Sequence, residues 1–381
     1  MRAYRIIDAD QHIIEPPDLW RRWLPKKFHD RAPRLGQDED GGDAWILGDS
    51  AEPLGLVTIV GKPYAEFRWT GVRYADVDPG CYEPRRRLEL LDIDGIDAAL
   101  IYPPQRTMGY FITAGDREFH LAGIEAFNNW LTQEFCAVAP ERLGAIAQIP
   151  NAGIEAAVAE LRRAKTLGAR GVSITTWPSG NVACGAADDP FWAAAEEAEL
   201  PVSIHIALVT PATPRQGAGV TGGARKLFGL ASTMSFMPRL IAEMIFAGVF
   251  DRFPNLRMVA NEVGAGWVPS LLQDLDDRYW RNRRWAGVRL VLVPSEYFRR
   301  NWVVGFIRDP YGIRNRHDVG IANMMWASDF PHHINDWPYS RRLITEMSLG
   351  VPEDERRKLF CDNAGRLYRF VSARPAQRAA A

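Results

Sequence analysis

Short apolar runs of strand length alternate with longer stretches of helical spacing along most of the chain, and no other feature limits the possible folds so tightly. The first run is Tyr4-Arg5-Ile6-Ile7-Asp8-Ala9-Asp10. From Pro84 onward the alternation is regular, with strands expected at 98–102, 144–149, 171–175, 201–206, 257–260, 301–306 and 323–328. Helices are expected between them at 85–94, 119–139, 154–167, 191–199, 223–250 (one or two) and 267–280, and after the last strand at 341–349 and 353–360. Strands that alternate with helices form parallel sheets, and eight such units in 381 residues fit a closed (β/α)8 TIM barrel better than an open sheet. No glycine-rich phosphate loop follows the first strand, which argues against a dinucleotide-binding fold.

The expected organisation is one barrel domain over residues 1–372, with an insertion at about 26–87 after strand 1 and a flexible tail at 373–381. Within the insertion, Asp38 to Asp43 reads as an exposed acidic turn. Ala44 to Leu47 and Val57 to Val60 read as two strands of a small sheet. An insertion of this length next to a strand end either covers a site or forms a dispensable hairpin.

Composition removes several classes of function. A formal net charge of −1 carries no electrostatic footprint for nucleic acid. No segment approaches the roughly 18 unbroken apolar residues of a membrane span. The N-terminus lacks a signal-peptide core, so a soluble cytoplasmic protein is expected. Cys81, Cys136, Cys184 and Cys361 are scattered without metal-ligand spacing and are expected to be reduced packing residues.

The chemistry concentrates at strand ends, where a barrel of this kind places its active site. Residues Asp8, Asp10 and His12 alternate along strand 1 and share one face if the strand holds to its end. Carboxylates and an imidazole aimed inward need a cation or a dense hydrogen-bond network. His205 closes an apolar strand, Glu262 follows Met258-Val259-Ala260-Asn261, and Asp329 follows Met324 to Ser328. Singly, each of these residues has an ordinary explanation as a cap or a packed side chain. Together, Asp10, His12, His205 and Asp329 form a mixed donor set suited to zinc first, with manganese or iron(II) as the other candidates.

The run Asp8 to His12 with Glu15-Pro16-Pro17-Asp18-Leu19-Trp20, the strand-end His205, the stretch Glu262 to Pro269, and Trp326 to His332 with Trp337 to Ser340 resemble the amidohydrolase superfamily. The nearest branch is the group that includes aminocarboxymuconate semialdehyde, resorcylate and carboxyvanillate decarboxylases. The resemblance implies that His12, His205 and Asp329 bind a divalent metal, with Asp10 where the group often has a histidine or glutamate. Glu262 replaces a histidine that many members carry after the sixth strand, and a glutamate cannot act as a cationic electrophile.

These readings lead to an expected metal-dependent hydrolase acting on a small carbonyl or carboxylate substrate through an activated water. Asp329, Glu262 and His332 are its expected catalytic residues, and His333 lies beside them. The first alternative is a metal-dependent non-oxidative decarboxylase of a small, aromatic carboxylic acid. The second is a non-catalytic metal-binding protein on the same scaffold. Trp20, Trp69, Trp177, Phe330 and Trp337 are candidates for an aromatic site wall, and Arg68, Arg73 and Arg106 for pairing with a substrate carboxylate. A homo-oligomer is expected, with the run Arg278 to Trp285 as a candidate interface.

Overall fold

The computed structural model describes residues 5–208, 222–231 and 235–370. In chain order its strands are β1 (Ile7–Gln11), β2 (Arg34–Gln37), β3 (Asp43–Leu47), β4 (Ser50–Pro53), β5 (Ala98–Ile101) and β6 (Leu143–Gln148). They continue as β7 (Gly171–Ile174), β8 (Val202–His205), β9 (Met258–Asn261), β10 (Trp302–Phe306) and β11 (Met324–Trp326).

Eight of these strands form one parallel sheet in the order β1-β5-β6-β7-β8-β9-β10-β11. Every residue in the eight is buried, which is why those after β1 read as largely apolar runs, whereas β1 alternates Ile7 and Ala9 with Asp8 and Asp10. Helices such as Pro84–Asp94, Ile154–Thr166, Asp189–Ala198 and Val268–Asn282 separate them and cover the outside. The sheet closes into a barrel where β11 returns to β1. That seam has no regular ladder. It consists of a parallel bridge between Gln11 and Phe330, with Asp329 N–H donating to Asp10 O at 3.0 Å and His12 N–H to Phe330 O at 2.6 Å.

The helix expected over 119–139 begins at Arg117, where the Asp116 carboxylate accepts from the Glu118 and Phe119 amides, and it ends at Trp130. A π turn (Leu131–Phe135) and a short 3-10 turn (Cys136–Val138) complete the segment. The Thr132 hydroxyl donates to the Asn128 carbonyl at 2.6 Å, competing with the helical amide at that point.

The insertion holds a three-stranded antiparallel sheet, β2-β3-β4. Its middle strand matches the expected Ala44 to Leu47. The second expected strand, Val57 to Val60, is not one. Gly55–Val57 is a 3-10 turn, and Ile59 is apolar because it packs inward while its amide donates to Pro331 O at 2.7 Å. The true flanking strands are polar and largely exposed, so no apolar alternation announced them. Trp45, Leu47 and Leu54 join the main core, tying the insertion to the barrel.

The region expected to hold one or two helices contains Gly222–Ala231 and Met237–Phe246, followed by a short Val249–Arg252. The expected tail at 373–381 lies outside the described residues. Among the described residues no helix is long and apolar enough to cross a membrane. The four cysteines are free, and three of them are buried.

Candidate metal centre and its cavity

The barrel brings Asp10, His12, His205 and Asp329 together as the sequence predicts, all buried and with donor atoms within 4.8 Å of one another. Asp10 lies in β1 and His12 just after it; His205 ends β8, and Asp329 follows β11. His12 Nε2 stands 3.0 Å from His205 Nε2, 3.0 Å from Asp329 Oδ1 and 3.4 Å from Asp10 Oδ1. His205 Nε2 stands 3.1 Å from Asp10 Oδ2. One ring proton cannot serve this many acceptors, and the oxygens of Asp10 and Asp329 are buried without a hydrogen-bond donor. A shared cation satisfies all of them. Two nitrogens each about 2.1 Å from an ion and at right angles stand about 3 Å apart, so the observed spacing fits a metal.

The backbone is bent to make this point of convergence. Ile206, Glu262 and Asp329 have φ of 63°, 57° and 61°, a left-handed conformation that is rare outside glycine and strained for β-branched isoleucine. Inside the barrel, Gly305 leaves room for Asn261, whose Oδ1 lies 2.7 Å from where a Cβ would stand.

Burial pushes His12 down to about 4, with the neighbouring His332 adding to the effect. Burial also opposes charge on His205, yet Asp10, Glu262 and Asp329 raise it to about 9. His332 and His12 overcome burial and hold Asp329 below the usual carboxylate range. Glu262, 3.7 Å from His205 Nε2, is raised by burial and by the negative Asp329. The His332 ring stacks on His12 with centroids 4.0 Å apart, and its Nδ1 lies 3.3 Å from Asp329 Oδ1.

Asp8 does not join the cluster, although it lies on the same strand face as Asp10. It accepts from the Ser328 amide at 2.9 Å, the Ser328 hydroxyl at 2.5 Å and Gln11 Nε2 at 2.8 Å. Gln11 in turn accepts from Arg87 Nη1 at 3.0 Å, and Arg87 Nη2 donates to the His12 carbonyl at 2.7 Å. A buried chain of hydrogen bonds therefore fastens the donors of β1 to the segment carrying Asp329.

A cavity of about 210 Å³ opens onto the cluster. His205, Glu262, Asp329, His332 and His333 are part of its lining. The insertion supplies much of the rest through Trp45, Leu54, Leu56, Val57 and Trp69. Among the candidate aromatics only Trp69 lines it. Trp20 and Trp177 are core residues, Phe330 lies under Arg87, and Trp337 turns its indole N–H to Leu90 O. Arg106 lines the cavity, while Arg68 and Arg73 are exposed and lie outside its lining.

Sequence reasoning missed Gln105, whose amide Nε2 lies 2.5 Å from His205 Nδ1 and orients that ring. Its position directly after strand 98–102 and two prolines was the available signal. It also missed Glu15, Trp45, Glu52 and Thr107 as cavity residues. Glu15 stood inside the motif, but nothing marked it apart from a turn acid.

A parallel barrel with two imidazoles and two carboxylates meeting at the C-terminal ends of its strands defines a metal-dependent barrel enzyme. Consistent with this, the amidohydrolase family model matches residues 7–370, and the chain belongs to that family. It is 26% identical over 328 residues to a gamma-resorcylate decarboxylase from Rhodococcus jostii, covering 77% of this chain and 92% of that one. In structure it resembles an amidohydrolase from Mycobacterium avium subsp. paratuberculosis, with TM-score 0.72 and 22% identity over 97% of this chain and 100% of the other. It also resembles a 5-carboxyvanillate decarboxylase from Novosphingobium aromaticivorans, complexed with manganese and a hydroxy-methoxy-nitrobenzoic acid. That match has TM-score 0.69 and 18% identity over 96% of each chain.

Proposed function

We propose that the protein is a metal-dependent non-oxidative decarboxylase of a small aromatic carboxylic acid, reversing the order in which the sequence ranks hydrolysis and decarboxylation. The observation that carries this reading is the apolar and aromatic enclosure of the donor cluster by Ile13, Ile14, Trp45, Leu54, Leu56 and Trp69. Once the ring carbon bearing the carboxylate is protonated, loss of carbon dioxide removes a localised charge and restores the aromatic ring, a change that an apolar, low-dielectric site favours. The likeness to the Rhodococcus jostii enzyme supports it.

A divalent ion would be held by Asp10, His12, His205 and Asp329 and would supply Lewis-acid polarisation of the substrate carboxylate. We take manganese as the ion because the similar 5-carboxyvanillate decarboxylase is complexed with it, and imidazole and carboxylate donors accept it. The chain's own residues do the rest. Trp45 and Trp69 exclude water and pack on the ring, Gln105 holds the His205 imidazole in register, and His332 braces Asp329. Glu262, at the cavity edge, is placed to pass a proton to the ring carbon before carbon dioxide departs, and regains it from solvent.

The test is carbon dioxide release from a panel of hydroxybenzoates by manganese-loaded protein, set against hydrolysis of aryl esters and lactones. Release from at least one acid, abolished in His205→Ala, is the expected result. Ester or lactone hydrolysis without any carbon dioxide would return the protein to the hydrolase reading.

A further inference from the structure

The cavity contains a buried acidic group that the proposed reaction leaves unused. Glu15 lines it, is 1% exposed, and buries Oε1 without any hydrogen-bond partner. Its position is firmly set. The Tyr74 hydroxyl donates to the Glu15 carbonyl at 2.6 Å, and the neighbouring Thr107 hydroxyl bonds the carboxyl. Thr107 lines the same cavity.

Among the described residues, no lysine, arginine or histidine pairs with Glu15. The nearest cation along the chain from Thr107 is Arg106, and it is already engaged. Its Nη1 lies 3.2 Å from Glu52 Oε2 and its guanidinium lies over the Trp69 ring at 4.8 Å. Burial raises the Glu15 carboxyl to about 7. A buried acceptor held in place without a partner is unfavourable for the protein alone, and a ligand that brings a donor relieves it.

We infer that Glu15 and Thr107 form a second recognition point, separate from the metal donors, for a hydroxyl or amino group on the substrate ring. This deepens the decarboxylase reading by specifying its substrate class: an aromatic acid with a ring donor beyond the group that the metal grips. An acid lacking that donor leaves Glu15 Oε1 unpaired and is discriminated against.

The test is calorimetric binding to full-length, manganese-loaded protein, with salicylate as the reference probe. The comparison probes are the four dihydroxybenzoates and the aminosalicylates that keep a hydroxyl beside the carboxylate. Measured above about pH 7, where the Glu15 carboxyl is ionised, at least one is expected to bind about tenfold or more tighter than salicylate, the effect of one hydrogen bond to a charged group. Glu15→Gln, which keeps the volume and an acceptor, lowers that preference severalfold. Glu15→Leu abolishes it, and thermal melting reports the fold of each variant. Equal binding of all probes by the wild type, or a preference unchanged in Glu15→Gln, overturns the inference. Binding is read independently of turnover, so failure to release carbon dioxide removes the decarboxylase reading while leaving this pattern intact.

Discussion

The two ends of the barrel are both rich in charge, yet they are built on opposite principles. At the N-terminal face a cleft of about 850 Å³, the larger of the two spaces, is lined by Arg252, Arg257, Arg369, Glu196 and Glu199 among others. There the charges have partners. Arg252 pairs with Asp189 at 2.8 Å, Arg369 with Glu199 at 2.5 Å, and the Asn255 amide donates to Glu196 at 2.6 Å. Arg257 donates to the Arg300 carbonyl. Helices end on this face, and their free carbonyls take up guanidinium groups. At the C-terminal rim the space is smaller, but Asp10, Asp329 and Glu15 bury oxygens that nothing donates to. What marks the working end is unmet demand for a cation or donor, not the volume of the opening.

The largest effect expected from this contrast is at the cluster. His205→Ala or Asp329→Ala should lose bound metal by elemental analysis and reduce turnover to background. Retention of both metal and activity would erase the distinction between the two ends.

A smaller effect is expected at the seam. Ser328→Ala removes one donor to Asp8, so manganese affinity should fall about tenfold to a hundredfold, as when an outer-sphere partner is lost. Measured by titration at unchanged circular dichroism, an unaltered affinity would mean that the Asp8 network is only packing.

The third effect concerns pH. Glu15 titrates near 4.5 when unfolded and near 7 when folded, so in this window the folded protein holds a proton that the unfolded chain has released. Its contribution to stability is therefore lost as pH rises from about 4.5 to 7. Denaturant melts of metal-free Glu15→Gln should show a flatter pH profile, with the gain over wild type reaching about 2 to 3 kcal/mol above pH 7 and little difference below pH 4.5. Parallel profiles would show that Oε1 has a partner after all.

The smallest effect belongs to the opposite face. Arg252→Ala should change stability by no more than about 1 kcal/mol, as expected for a half-exposed pair, and leave metal content and turnover unaltered. A marked loss of activity would make that cleft a second functional site.

The fold was legible because parallel strands covered on both sides are mostly apolar, β1 being the exception, and helices between them repeat at helical spacing. The metal donors were legible for a related reason: polar residues such as His205 and Asp329 stand out where an apolar strand stops. Asp8 misled because alternation along a strand assigns a face but not a depth, and it serves the layer beneath the cluster. The insertion was least legible. Its outer strands are exposed and polar, and the apolar run 57–60 is buried as a turn. Which aromatics reach the cavity depends on tertiary packing, so Trp45 and Trp69 could not be told from Trp20 and Trp177 by composition or spacing.

The seam joining Asp10 to Asp329 and His12 to Phe330 also bears on how the protein is made. On the ribosome, Asp10 and His12 emerge early, but their backbone partners and the last donor are among the final parts of the barrel to be synthesised. A prematurely terminated chain therefore lacks both the clasp and the fourth donor, and it forgoes the stabilisation that a tightly bound ion confers on the folded state.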